Sequence, residues 1–439
     1  MAHEPLTILF MPESAYGPTN NCVGIGDVLR RQGHRVVFAA ERSWAGKLQA
    51  LGFVEDLVDL APPPDDVDGH QDPGQFWKDF IRDTAPEFRK PTIDQLATFM
   101  QPTWQALIDG ARYCEPQLRD IIGRQRPDVI VEDNVIAFPA LVSAGPPSVR
   151  IVSCNPLEIP GPDIPPPYSG LPLDDRSEWD AFRAEYDRTQ RPTWEAFDAW
   201  VREQGAPGLP FLEFVHTSDV LNLYVYPEVI DYTDRRPLGA TWQRLDSSVR
   251  QTDGDVELPV LLTDRPDGSA LIYLSLGSLG SADVGLMRRL VDVLSRTRHR
   301  YIVSKGPQHA EYELADNMWG AEFLPQTKLI PLVDLVITHG GNNTTTEAFH
   351  FGKPMVVLPL FWDQYDNAQR VDETGFGVRL RTYDFEDAEL HRAIDGLLAS
   401  PVRDRLAALS AEVRARDGVA HAAHAIADVA SRAGMASRR

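Results

Sequence analysis

The residues with the clearest potential for chemistry lie in one stretch of the chain, Asp334–Gln364. A short apolar strand there leads into His339-Gly340-Gly341, and the next five residues are of types that begin helices. A turn of this kind points unpaired N–H groups and the positive end of a helix dipole at whatever lies above it. Glycine lets a bulky phosphate approach the backbone, and His339, Asn343 and Thr344 add side-chain donors. The stretch therefore predicts a binding site for a diphosphate.

A second set of polar residues follows the next buried strand. Met355–Leu358 is apolar, Pro359 ends it, and Asp363-Gln364 lies just beyond. The carboxyl ends of parallel strands meet at one edge of a sheet, so both sets of residues are expected to face one crevice. A carboxylate accepts from two neighbouring hydroxyls while an amide both donates and accepts, which suits a sugar. A parallel α/β unit with ordinary Gly and Thr turns is the alternative reading.

Three segments with fixed internal spacing narrow the interpretation. They are Phe323-x-Pro325-Gln326, His339-x-Gly341-x-Asn343-Thr344-x-x-Glu347 and Pro359-Leu360-x-x-Asp363-Gln364-x-x-Asn367. Together they resemble the signature of the family 1 nucleotide-sugar glycosyltransferases, which include plant natural-product glucosyltransferases, bacterial antibiotic glycosyltransferases and animal glucuronosyltransferases. Among these, the chain looks more like the bacterial enzymes that glycosylate hydrophobic antibiotics such as macrolides and rifamycins. The resemblance implies the GT-B architecture, in which two Rossmann-like domains face each other across a cleft.

The resemblance also implies a role for each motif residue. Phe323 would stack on the nucleobase, Gln326 would lie by the base and ribose, and Glu347 would accept hydrogen bonds from the ribose hydroxyls. The residues that would hold the donor diphosphate are Ser278, His339, Gly341, Asn343 and Thr344. Asp363 and Gln364 would bind the sugar hydroxyls.

The implied reaction is an inverting transfer of a hexose from a UDP-sugar to a hydroxyl of a hydrophobic small molecule. Glu347 favours a ribonucleotide such as UDP, and Asp363-Gln364 favours glucose. A macrolide, an ansamycin or a polyphenol is the expected class of acceptor, and the reaction would inactivate an antibiotic or modify another natural product. The UDP-sugar is a co-substrate, and neither a metal nor another cofactor is expected. Asp66-Val67-Asp68 and the pair His421 and His424 do not form a convincing set of metal ligands.

The composition of the chain limits the domain organisation, the partners and the location that can be expected. The chain of 439 residues is too long for one ordinary core, so two domains are expected. A formal net charge of -21 argues against a nucleic-acid or anionic-membrane partner. The three cysteines are few and widely spaced, and no apolar run approaches the roughly 20 residues of a membrane helix. We expect a cytoplasmic protein without a membrane span, whose sequence leaves monomer and homodimer open.

Strand and helix patterns alternate along both halves, which predicts an α/β fold with two doubly wound parallel sheets. In the first half the pattern predicts a helix over Val23–Gln32, a loop over Ala61–Pro73, and a mostly helical region over Gln75–Arg126 that is interrupted at its prolines, among them Pro116. Residues 1–234 are assigned to an N-terminal acceptor domain, 235–268 to a linker, and 269–416 to the nucleotide-sugar domain. The last segment, 417–439, is expected to return as a helix to the first domain. A proline-rich stretch, 155–173, is read as a functional surface loop beside aromatic-rich helices that could line an acceptor cleft.

The catalytic base is the point at which the chain departs from the family. Members usually carry a histidine after the first strand, oriented by an aspartate from a later strand, and Pro18 occupies the histidine position here. Asp133 matches the aspartate, so Asp133 or Glu13 is the candidate base. A carboxylate of ordinary pKa is a poor base for an alcohol and would need a pKa raised by burial. Two alternatives stay open: a non-catalytic nucleotide-sugar-binding partner protein, and an epimerase of the same fold.

Overall fold

The computed structural model describes residues 5–62 and 82–437. Three sequence-based assignments fall outside that range or cross its edge: the end of the loop predicted to reach Pro73, the pair Asp66 and Asp68, and the start of the helical region predicted from Gln75. Within the described residues the chain forms two separate, wholly parallel β-sheets joined by helices. The prediction of an α/β fold with two Rossmann-like domains is confirmed.

The first sheet has seven strands in the order β3-β2-β1-β4-β5-β6-β7. They are β1 (Thr7–Pro12), β2 (Arg35–Phe38), β3 (Val54–Glu55), β4 (Val129–Asp133), β5 (Ser148–Val152), β6 (Leu221–Val225) and β7 (Trp242–Leu245). The helices among them are α1 (Tyr16–Arg31), α2 (Lys47–Ala50), α3 (Thr92–Gln95), α4 (Gln101–Gln125), α5 (Pro139–Ser143) and α6 (Trp179–Glu203).

The second sheet has six strands in the order β10-β9-β8-β11-β12-β13. They are β8 (Leu271–Ser275), β9 (Arg300–Ser304), β10 (Met318–Ala321), β11 (Leu335–Thr338), β12 (Met355–Val357) and β13 (Gly377–Arg379). The helices from the linker onward are α7 (Val260–Thr263), α8 (Gly277–Gly280), α9 (Val284–Ser295), α10 (Gln326–Leu329), α11 (Asn342–His350), α12 (Gln364–Glu373), α13 (Asp387–Ala399), α14 (Val402–Arg416) and α15 (Gly418–Ser437).

The last helix ties the end of the chain to the first domain. Ala422, Ala423, Ile426 and Ala430 of α15 are buried in the same apolar cluster as one face of the first sheet and helix α1. The i, i+4 spacing of these small residues lets α15 lie close to its neighbours. The two ends of the chain therefore share one core, and the second domain is connected to the first twice.

Several boundaries differ from the sequence prediction. Trp242–Leu245, assigned to the linker, is the seventh strand of the first sheet and pairs with β6, so that part of the assignment is wrong. Helix α1 begins at Tyr16 instead of Val23 and contains Pro18, because a proline in the first helical turn removes an N–H that has no partner there. Helix α4 likewise continues through Pro116, where interruption was expected, because its buried face runs unbroken from Ile108 to Ile121.

Candidate active site

Both sheets reverse their strand order next to the first strand of each domain, and the candidate residues lie there. In the first sheet β1 pairs with β2 on one side and β4 on the other, and in the second β8 pairs with β9 and β11. Such reversals open a crevice beyond the carboxyl ends of the strands, which is where ligands bind in open α/β sheets. Glu13 and Asp133 lie at the first crevice, and Ser278 and His339 lie at the second.

The imidazole of His339 is held between two glycine turns. A Cβ atom at Gly277 would lie 2.8 Å from the ring, and one at Gly341 would lie 2.6 Å from Nε2. Gly277 also has a φ of 71°, in the left-handed region that glycine adopts without strain. Burial lowers the pKa of His339 to about 4, although a hydrogen bond with the Ser275 backbone opposes the effect. The ring is therefore neutral at physiological pH.

Helix α11 begins at the predicted diphosphate position without a side-chain cap. Its N-cap is Gly341, and no acidic residue lies in its first turn, so its N-terminal dipole is not compensated locally. Asn343 reaches across to the first domain, where its Nδ2 donates to the Gly17 carbonyl at 2.9 Å and its Oδ1 accepts from Asn21 at 3.1 Å. The crevice is thus narrow enough for one side chain to span it. Ser278, in the short helix α8, is partly exposed.

The predicted nucleoside residues lie along the edge of the same crevice. Phe323 is 48% exposed, and its ring centroid lies 5.5 Å from that of Tyr16 in the first domain. Gln326 Nε2 donates to Glu347 Oε2 at 2.6 Å and to Thr344 Oγ1 at 3.1 Å. These contacts join the residues expected at the base, the ribose and the diphosphate into one network.

An arginine that sequence reasoning missed holds the other oxygen of Glu347. Arg250 Nη1 lies 3.5 Å from Glu347 Oε1, and Arg250 also pairs with Asp253 through two hydrogen bonds. Burial raises the pKa of Glu347, and the charge of Arg250 opposes that rise. Arg250 belongs to the segment between the two sheets, and no signal in the sequence links it to Glu347.

The Asp363-Gln364 pair sits in a strained turn after β12. Trp362, just before it, has a φ of 57°, which is uncommon for a residue other than glycine. Gln364 Oε1 accepts from the backbone N–H groups of Leu360 and Phe361, at 3.1 and 3.2 Å, and so holds the turn in place. Asp363 Oδ2 accepts from the backbone N–H of Asn155, at 2.8 Å, in the proline-rich segment of the first domain. Burial raises the pKa of Asp363 to about 7.

The two candidate bases are adjacent. The backbone N–H of Glu13 donates to the Asp133 carbonyl at 2.9 Å, which continues the pairing of β1 with β4. Asp133 is 2% exposed, its Oδ1 accepts from Ser153 Oγ at 2.7 Å, and its Oδ2 has no partner among the described residues. Burial raises the pKa of Asp133 to about 8 and that of Glu13 to about 7, and the charge of Glu158 raises both. The predicted requirement for a carboxylate of raised pKa is met by both side chains.

The proline-rich segment joins the site in ways that the sequence indicated only in outline. Glu158 follows the Asn155 contact, and Asp366 of α12 accepts from the N–H groups of Tyr168 and Gly170, at 2.6 and 2.8 Å. Asn155 and Glu158 were missed as individual site residues. Their membership of a rigid segment between β5 and a helix was the available signal, whereas nothing local marked which of its polar side chains faces the crevice.

Comparison with known proteins finds a family model and several proteins that are similar to this chain. Residues 288–427 match the family model described as "Erythromycin biosynthesis protein CIII-like, C-terminal domain". Demethyllactenocin mycarosyltransferase of Streptomyces fradiae is 24% identical over 97% of this chain and 86% of that protein. Sterol 3-beta-glucosyltransferase of Yarrowia lipolytica is 22% identical over 93% of this chain, which spans only 28% of that longer protein.

Solved structures agree with the fold. The structure of the glycotransferase of kitacinnamycin aligns with a TM-score of 0.68 at 22% identity, covering 97% of this chain and 100% of the other. The spinosyn rhamnosyltransferase SpnG, complexed with thymidine diphosphate, aligns with a TM-score of 0.60 at 20% identity, covering 93% and 96%. At these identities the likeness establishes the architecture, and the predicted GT-B fold is confirmed.

The fold and the two facing motifs are those of the GT-B fold class. Within that class, the resemblance to the family 1 natural-product glycosyltransferases is confirmed by the family model and the macrolide-type relatives. In the described ranges, 5–62 and 82–437, none of the helices is long and apolar enough to cross a membrane.

Proposed function

We propose that the protein is an inverting glycosyltransferase that moves glucose from UDP-glucose to a hydroxyl of a hydrophobic small molecule. One observation carries the proposal: the diphosphate motif of the second domain and the carboxylates of raised pKa in the first domain face the same crevice. Asn343 bonds to Gly17 and Asn21, and Asp363 bonds to Asn155, so the two halves meet at these residues. Donor and acceptor groups supplied by different domains suit a two-substrate transfer.

In the proposed reaction, Asp133 takes the proton of the acceptor hydroxyl. The oxygen forms a bond to the anomeric carbon of the sugar as the bond from that carbon to the diphosphate oxygen breaks. The proton ends on the carboxyl of Asp133, and UDP leaves with the electron pair of the broken bond. Its negative charge is met by the uncapped N-terminus of α11 and the donors around His339 and Ser278. Because burial raises the pKa of Asp133 to about 8, the ionised form that acts as the base becomes more populated as pH rises from 7 through 8.

Glu13 is the second candidate for the base, and its charge already acts on Asp133. The two carboxyls titrate as a coupled pair, because ionising one raises the pKa of the other. In the proposal Glu13 keeps the pKa of Asp133 high, and Asp133 is the group that faces the acceptor. Glu13→Gln would then shift the pH profile of turnover to lower pH and leave turnover measurable, whereas abolition of turnover would transfer the role to Glu13.

The donor nucleotide is proposed to be UDP because Glu347 is a buried carboxylate placed to accept from ribose hydroxyls. The solved structure of SpnG, which shares this fold, contains thymidine diphosphate. The assay must therefore test dTDP-glucose as an alternative donor. We propose that natural products such as macrolides, ansamycins or polyphenols are the acceptors and that the reaction inactivates an antibiotic. The macrolide-type relatives support the proposed class of acceptor.

The experiment is mass spectrometry of the purified protein incubated with UDP-glucose or dTDP-glucose and a panel of macrolide, ansamycin, steroid and polyphenol acceptors. A mass gain of one hexosyl residue, about 162 Da, with UDP-glucose is the expected result. Transfer from dTDP-glucose alone contradicts the UDP assignment. Binding of UDP-glucose without transfer to any acceptor contradicts the proposal that the protein is a glycosyltransferase.

A second candidate is a non-catalytic partner protein that binds nucleotide sugar. Pro18, at the position of the usual histidine, is the observation that favours it. Its ring lies in the first turn of α1 and offers no proton acceptor. Turnover by the isolated protein removes this candidate, and turnover abolished by Asp133→Asn with donor binding retained removes it more firmly.

A further inference from the structure

Four carboxylates, which we call the acidic cluster, gather where the two domains meet: Glu13, Asp133, Glu158 and Asp363. The stretch after β5 organises three of them. Ser153 Oγ donates to Asp133 Oδ1 at 2.7 Å, the backbone N–H of Asn155 donates to Asp363 Oδ2 at 2.8 Å, and Glu158 follows in the next turn. Residues two positions apart thus hold carboxylates that come from opposite domains.

Repulsion between neighbouring carboxylates acts within the acidic cluster. The charges of Glu13 and Glu158 raise the pKa of Asp133, and the charge of Glu158 raises that of Asp363. Arg150 acts on Glu158, but no basic residue is among the groups that act on Asp133. Asp133 Oδ2 is buried and has no hydrogen-bond partner among the described residues. A buried carboxylate oxygen of this kind normally has a donor, so the site lacks a polar group that a ligand could supply.

Two aromatic residues, Tyr168 and Trp362, lie beside Glu158, and we call them the aromatic wall. Tyr168 Oη lies 3.4 Å from Glu158 Oε1, and the Tyr168 ring centroid lies 4.9 Å from that of Trp362. Trp104 packs behind Trp362, with ring centroids 4.8 Å apart, and is itself buried in the core. Glu158 and Trp362 keep part of their surface exposed, so the crevice reaches them from solvent. Aromatic faces and carboxylates both attract organic cations, and together they form the usual setting for an alkylammonium group.

The proposed reaction gives a role to three of the four carboxylates in the acidic cluster. Asp133 would take the proton, Glu13 would tune it, and Asp363 would bind the donor sugar. Among the described residues Glu158 has no partner of opposite charge at hydrogen-bond distance, since its hydrogen bonds are to the neutral side chains of Cys154, Tyr168 and Trp362. The charge of Glu158 acts on Asp133 and its carboxylate contacts Tyr168, so Glu158 lies near both the candidate base and the aromatic wall.

We propose that the natural acceptor carries a protonated amine, which binds beside Glu158 against the aromatic wall of Tyr168 and Trp362 while its hydroxyl faces Asp133. This inference rests on the proposed function. The alkyl groups of the ammonium contact the rings, and its charge is paired with Glu158. Glu158 is thus a positioning residue that selects a cationic acceptor and places its hydroxyl.

The test uses matched pairs of acceptors. A macrolide, a phenol and a steroid alcohol are each prepared with a dimethylamino group and as the neutral N-acetyl analogue. Dissociation constants and kcat/KM with UDP-glucose are measured at pH 7.0, where the amines are cationic. The expected result is a preference of about tenfold or more for the amine in at least one scaffold. Glu158→Gln is expected to reduce that preference to within about threefold, mainly through KM.

The matched control is Glu132→Gln. Glu132 is also a buried glutamate on which Arg150 acts, but it lies within β4 and outside the acidic cluster. Its replacement is expected to leave the amine preference intact. UDP-glucose binding and thermal unfolding of both variants show whether each is folded.

Three outcomes overturn the inference: neutral analogues that bind as well as the amines, no binding of any amine, or binding that requires Mg²⁺ to neutralise the carboxylates. Sugar transfer to neutral acceptors without an amine preference would leave the proposed function standing while removing the cationic acceptor. Amine binding without any sugar transfer would remove the proposed function and leave the binding site for the amine standing.

Discussion

Replacing Asp133 by asparagine is the sharpest perturbation of the proposed mechanism, because it should reduce activity and increase stability together. Asp133 is 2% exposed, and burial raises its pKa from 3.8 to about 8. At pH 7 the folded protein therefore keeps this carboxyl protonated, while the unfolded chain ionises it. Each unit of pKa difference corresponds to about 1.4 kcal/mol, so the group lowers the free energy of unfolding by about 4 kcal/mol at pH 7.

The sign of this effect follows from the raised pKa. The stabilising contribution of the protonated carboxyl is fully present below pH 3.8 and is lost as pH rises through about 8. Asparagine has nearly the same shape, can keep an oxygen for Ser153, and does not ionise. We expect Asp133→Asn to raise the melting temperature by a few degrees at pH 8 and to have little effect at pH 4.

Activity should change in the opposite direction. Without a base, kcat should fall by about 10²- to 10⁴-fold, whereas the dissociation constant for UDP-glucose should stay within about threefold. In the wild type, kcat/KM should rise with pH as Asp133 loses its proton near pH 8. The measurements are steady-state kinetics from pH 6 to 9, calorimetric titration of UDP-glucose, and thermal unfolding.

Glu132→Gln is the matched control, since Glu132 is the preceding residue of β4 and burial raises its pKa to about 7. Side chains alternate along a strand, so Glu132 and Asp133 point to opposite faces of the sheet. The control should keep kcat within about threefold. Normal turnover by Asp133→Asn, or an equal loss in both variants, would refute the assignment of the base.

Three further predictions concern the donor. Gly277→Ala should weaken UDP-glucose binding at least about tenfold and lower the melting temperature, because its Cβ would meet the His339 ring 2.8 Å away at a φ of 71°; unchanged affinity by calorimetry would contradict the role of this turn. Glu347→Gln should weaken UDP binding about tenfold while changing dTDP binding within about threefold, and competition assays that show parallel losses would rule out ribose recognition. Phe323→Leu should raise KM for UDP-glucose about five- to tenfold at nearly constant kcat, because it removes stacking on the base. A fall in kcat at constant KM would contradict the stacking role of Phe323.

The donor half of the site could be predicted because its parts are local in sequence. A strand, a glycine turn and a helix N-terminus must follow one another directly, so residues 334–364 already indicated an anion site. The structure adds the reason for the two glycines, since Gly277 and Gly341 leave room for the ring of His339. It also shows that Asn343 faces the first domain, which no local pattern could indicate because Gly17 and Asn21 are more than 300 residues away.

The acceptor half depends on contacts between distant segments. The sequence pattern assigns Trp242–Leu245 to the linker because the segment is short, and it becomes the seventh strand of the first sheet by pairing with β6. Arg250 likewise lies in a polar segment without a motif and gains its role only by reaching Glu347. The β6–β7 strand pairing and the Arg250–Glu347 ion pair both join segments that folding brings together, and such tertiary contacts can override local preferences.

The sequence by itself determined the fold class, the nucleotide-sugar motif and the need for an unusual base, because periodicity, glycine turns and residue types act over a few neighbours. Only the tertiary structure decided which carboxylates meet. Glu13, Asp133, Glu158 and Asp363 come from four places in the chain. Burial raises the pKa of all four, and the charge of a neighbouring carboxylate also raises that of Glu13, Asp133 and Asp363. Solvent exclusion and electrostatic coupling depend on three-dimensional distance, and for this reason the chemistry of the base appears only in the folded protein.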